Sequence, residues 1–216
     1  MKRCYFTLVE LLTVIAVIAI LAGIAIPVVV GMQSKGKETA ARADMNAIKL
    51  ALTQFKADYS IFPVAQPSPA ADTLLKAAYK PGETGTNDGL IDNMISELTT
   101  FKAQPKDGGP DNATMTYNSK RRKYLDAPAK PVTPVFAVSS LTSGFMKLDP
   151  WGRRYNIALD TDYNKKLDLT AAFLGTTTAE TIVGDIAIYS YGTATPDDDG
   201  KLDPDAFLYS WKTNAN

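Results

Sequence analysis

The chain of 216 residues has no histidine and a single cysteine, Cys4. Together these absences exclude the common His-based triads and the common His and Cys zinc sites. A lone cysteine also forbids any internal disulfide, so stability has to come from packing, assembly or a metal. Charge of one sign is not in excess either: 23 Lys and Arg balance 23 Asp and Glu. That balance gives no basic footprint for nucleic acid, and the one concentrated basic run, Lys120-Arg121-Arg122-Lys123, reads as a solvated loop face. No motif sets two carboxylates across a substrate pocket, so no enzyme is expected.

Ionisable groups are missing from Leu11 to Met32, a run of 22 residues. As a helix rising 1.5 Å per residue it extends about 33 Å, enough to cross a hydrocarbon layer roughly 30 Å thick. Lys2 and Arg3 precede the run and a polar body follows it, which predicts a single pass with a cytoplasmic N-terminus and lipid around the helix. Glu10 stands at the start of the span, where a carboxylate is costly unless paired. A neighbour's free amino terminus would neutralise it in a bundle of such helices. That amine would belong to Phe6 once Met1 to Tyr5 had been removed.

Beyond the span, Ala40, Ala43, Ala47, Ile48, Ala51, Leu52 and Phe55 recur at three- and four-residue steps, predicting an amphipathic half of the same helix to about Tyr59. Pro27 allows a bend, and Pro63 disfavours helical geometry in Phe62.

The basic head, Phe6-Thr7-Leu8-Val9-Glu10, the apolar span and Pro27 together resemble the N-terminus of the type IV pilin and type II secretion pseudopilin superfamily. The resemblance implies cleavage between Tyr5 and Phe6 by a prepilin peptidase, methylation of the Phe6 amine, and Glu10 as the assembly glutamate. It also implies an inner-membrane assembly platform with a cytoplasmic ATPase, and a polymer of this chain with other pseudopilins. The family has glycine before the cleaved bond where this chain has Tyr5, whose ring obstructs the close backbone approach that glycine allows.

Three segments are expected: a leader over 1–5, a helix over 6–59 and a periplasmic globular domain over 60–216. In the last, 71–79 and 89–101 read as short helices. The stretches 114–117, 135–138, 154–159, 181–189 and 207–211 read as strands. The expected class is α+β and pilin-like: a long N-terminal spine helix, transmembrane in one half and amphipathic in the other, packed on a small antiparallel sheet with a C-terminal acidic loop.

Leu148-Asp149-Pro150-Trp151-Gly152-Arg153-Arg154-Tyr155 resembles the Asp-Pro-Trp-Gly box of major type II secretion pseudopilins, and Ser190-Tyr191-Gly192 with Ser210-Trp211 resembles their C-terminal signature. In that family the loop between the last two binds calcium. Here five carboxylates occur in the nine residues from Asp197 to Asp205, and a hard cation with six to eight oxygen ligands would relieve their repulsion. Asp197, Asp198, Asp203 and Asp205 are candidate ligands, beside the reading of a solvated acidic loop. Ala194 stands where the family usually has Asp.

Asp160, Asp162, Asn164 and Asp168 occupy positions 1, 3, 5 and 9 of an EF-hand-like loop, with Lys165 in place of the Gly at 6 and Ala171 in place of the Glu at 12. A looser turn held by Asp side chains and a calcium site are both open. The expected function is a subunit of a type II secretion pseudopilus that helps export folded proteins. The alternatives are a type IV pilin of a surface fibre and a non-polymerising anchored protein.

Overall fold

The computed structural model describes residues 8–64, 71–79, 87–99, 117–126, 135, 146–194 and 202–212, excluding the side chains of 25–31. The chain divides into two compact units, Met1–Thr39 and Ala40–Asn216. Helix α1, Leu8–Tyr59, contributes to both. Its threonines do not compete with the helical backbone: Thr13, Thr39 and Thr53 donate to the carbonyls of Glu10, Lys35 and Lys49, each about one turn earlier. The helix ends at Ser60, whose φ of 59° turns the chain left-handed. Its N–H closes on the Lys56 carbonyl at 2.8 Å, a C-terminal cap that satisfies an otherwise orphaned acceptor.

In the second unit Ala41, Met45, Ile48, Leu52 and Phe55 are all buried. They form one core with the sheet residues Ile157, Leu159, Ile186 and Ile188. Strands β1 (Thr73–Leu75), β2 (Asn156–Leu159), β5 (Ile186–Ser190) and β6 (Leu208–Tyr209) form an antiparallel sheet in the order β1-β2-β5-β6. Its register pairs Leu75 with Ile157, Ile157 with Ile188, and Tyr189 with Tyr209. Strands β3 (Lys166–Leu169) and β4 (Glu180–Val183) pair separately as a second sheet, joined through the short helix α3, Ala171–Leu174.

Helix α2, Asp88–Thr99, is held by an ion pair inside the protein. The Arg154 guanidinium donates to both Asp92 oxygens, at 2.9 and 2.7 Å, and to Asp88 at 3.3 Å. All three residues are buried, so the fork-on-carboxylate geometry is what makes the charges tolerable there.

The expected pilin-like class requires correction. Among the described residues no helix is long and apolar enough to cross a membrane. The single-pass inner-membrane placement is overturned on the same ground, and the spine divided into transmembrane and amphipathic halves is not retained. What stands among the described residues is an α+β fold of helix α1, shorter helical segments and two small sheets.

Three local expectations also change. The stretch 71–79 contains strand β1, because Thr73 and Leu75 are buried in pairing with β2. The stretch 181–189 is two strands in different sheets, broken at Gly184, whose φ is 151°. Strand β3 was not anticipated. Of the expected strands 114–117 and 135–138, all but Tyr117 and Val135 lie outside the described residues, and neither of those two is in a strand.

Candidate functional site

The Asp-Pro-Trp-Gly turn is organised by Asp149. One of its carboxylate oxygens accepts from the backbone N–H groups of Trp151 and Arg153, at 3.0 and 2.9 Å. The other accepts from the Ser190 hydroxyl at 2.6 Å. Burial pushes the Asp149 carboxyl up, opposed by those hydrogen bonds. Arg153 extends the clamp by donating to the Ala194 carbonyl at 2.9 Å. Trp151 packs against the core as a plug, and the buried Tyr155 hydroxyl reaches Asp44 at 3.4 Å.

Ser190 also accepts from the Gly192 N–H at 3.0 Å. Gly192 has φ 58°, and a Cβ there would lie 2.5 Å from the Ala206 carbonyl oxygen. Only a residue without a side chain allows that approach. Ala206 belongs to a 3-10 turn, Pro204–Ala206, capped by Asp203, which accepts from the Asp205 N–H at 3.0 Å. Asp197 and Asp198, expected as ligands, lie outside the described residues; Asp203 and Asp205 are exposed, with one Asp203 oxygen engaged in the cap.

The other acidic stretch forms a turn stapled by its own side chains. Asp160 accepts from the N–H groups of Asn164 and Lys165, both at 3.1 Å. Asp162 accepts from the Asn164 N–H and side-chain amide at 3.2 and 2.8 Å, while Asn164 accepts from Lys166 N–H at 2.7 Å. Tyr163 and Lys165 take left-handed φ values of 61° and 68°, which the staple holds against their side-chain sterics.

Asp160 and Asp162 are joined there by Asp72, from the residue preceding β1. One oxygen from each lies within 4.8 Å of the others. Asp160 is fully buried, and one oxygen of Asp72 is buried without a hydrogen-bond partner. The other accepts from the Asp168 N–H at 2.7 Å. Burial raises the pKa of Asp72, with Asp162, Asp160 and Asp168 adding to it. Burial followed by the bond to Asp162 raises that of Asp160.

An orphaned carboxylate oxygen beside two further carboxylates fits a hard cation with oxygen ligands. Asn164 and Asp168 are not brought into the cluster. Asn164 is used within the turn, and the Asp168 side chain accepts from Thr181 at 2.7 Å. Asp72 was missed in the sequence because 88 residues separate it from Asp160, and nothing local marks it; β1–β2 pairing supplies the proximity.

Toward the N-terminus, Glu10 is exposed on α1, within a stretch whose large apolar side chains are exposed from Leu8, at 79%, to Ile24, at 65%. Tyr5 and Phe6 lie outside the described residues, as does the Pro27 side chain.

The chain is similar to the type II secretion system core protein G of Pseudomonas aeruginosa, with 36% identity over 125 residues, covering 50% of this chain and 88% of that protein. No family model matches the chain. No solved structure matches it either.

Proposed function

The chain belongs to the type II secretion pseudopilin family, and on that premise we propose that it is a polymerising subunit of a pseudopilus used in exporting folded proteins. Its role in a secretion system is structural, and it is not an enzyme.

The observation that carries the polymer reading is the exposed apolar surface of α1. Leu8, Val9, Leu11, Leu12, Ile15 and Ile18 are each more than half exposed, and an apolar surface of that kind has to be covered by a partner. The same helix of other copies, and of other pseudopilins, supplies a matching face. In this reading a prepilin peptidase removes the residues through Tyr5 and the Phe6 amine is methylated. Glu10 then accepts the Phe6 ammonium of a neighbour. The pairing removes the cost of placing a carboxylate among apolar helices. An assembly platform driven by a cytoplasmic ATPase adds subunits through a repeated heterologous contact, which extends a polymer instead of closing a ring.

Calcium at Asp72, Asp160 and Asp162 would brace the globular unit, the orphaned oxygen of Asp72 being the feature that favours it. Asp197, Asp198, Asp203 and Asp205 are the second proposed set.

Intact mass and N-terminal sequence of the protein produced with its own peptidase test the processing step. A chain beginning at Phe6 with one added methyl group is expected, and a chain retaining Tyr5 would overturn it. Polymerisation is tested by sedimentation of the processed protein and its Glu10→Ala variant, where loss of the pelletable fraction is expected. A thermal shift on adding calcium, absent in Asp72→Asn, tests the metal.

A further inference from the structure

We draw no further inference here: the strongest candidate, the cavity of about 90 Å³ beside the C-terminal cap of α3, walled by Tyr79, Tyr191, Leu202 and Phe207 with the already partnered Lys76 among them, is a mainly apolar surface, and nothing in the structure shows what covers it.

Discussion

Two stretches of α1 carry large apolar side chains in opposite surroundings. Between Leu8 and Ile24 the large side chains are exposed on all sides of the helix, whereas Met45, Ile48, Leu52 and Phe55 are each at most 1% exposed. Alternation with charge separates them. In the later stretch Lys49, Asp44 and Lys56 interrupt the apolar residues, and only one face remains to be buried, which a sheet of a few strands can cover. The earlier stretch has apolar residues around its whole circumference, and no single small sheet covers such a surface.

Substitutions should separate the two stretches by their effect on the isolated subunit. Phe55→Ala, in a ring cluster 4.5 Å from Tyr59 and 5.4 Å from Tyr124, is expected to lower the unfolding free energy by about 3–5 kcal/mol in urea titration. Leu12→Ala, at 56% exposure, should change it by less than about 0.5 kcal/mol and act on assembly alone. Equal losses at both positions would remove the distinction.

Arg154→Met should come close to the Phe55 effect, at about 3–5 kcal/mol, because it leaves the buried carboxylates of Asp88 and Asp92 unpaired. The matching measurement is hydrogen exchange, in which the amides of α2 should lose protection first. Gly192→Ala is smaller, about 1–3 kcal/mol, from a left-handed backbone and the approach to Ala206. Its mark should be a lower urea midpoint with an unchanged denaturant slope.

The acidic cluster has the smallest expected effect and a sign that can be checked. Asp72 and Asp160 have folded-state pKa values above the usual carboxylate value, so the folded protein binds protons more tightly than the unfolded chain. Their contribution is favourable at low pH and is lost as pH rises from the ordinary carboxylate range through the raised values. In chelator, Asp72→Asn should flatten that part of the melting temperature profile and raise the neutral-pH value slightly. A steeper profile in the variant would show that Asp72 is stabilised as a carboxylate.

Much of the fold was legible wherever local chemistry decided it. The stop before Pro63 and the helix near Asp88 follow from neighbours within a turn or two, whereas Ala40, Ala43 and Ala47 of the expected apolar stripe are exposed and Ala41 and Met45 are buried in their place. The extended reading of 154–159 and 207–211 placed β2 and β6 within a few residues. Strand β1 was misread as helix because Leu74, Leu75, Lys76 and Ala77 favour helix locally, and pairing with β2 overrides that preference. The break at Gly184 was missed because Thr181 to Tyr189 is rich in branched residues on both sides of one glycine.

The candidate sites divide in the same way. Asp149, Pro150, Trp151 and Gly152 could be named as a turn, but their bonds to Ser190 and Ala194 come only from the strands that bring them together. Asp160 and Asp162 were visible as an acidic turn, and the stapling by their own carboxylates was one of the two readings open to it. Asp72 was invisible.

Residue order alone was enough to establish the helix near Asp88, the turn at Asp149 to Gly152, the absence of histidine and of any internal disulfide, and the resemblance to secretion pseudopilins, because each depends on residue type and short-range spacing. Tertiary structure decided that Arg154 lies between Asp88 and Asp92, and that Asp72 completes an acidic cluster. Those contacts join residues tens of positions apart, and their energies come from burial, which exists only once the chain has folded.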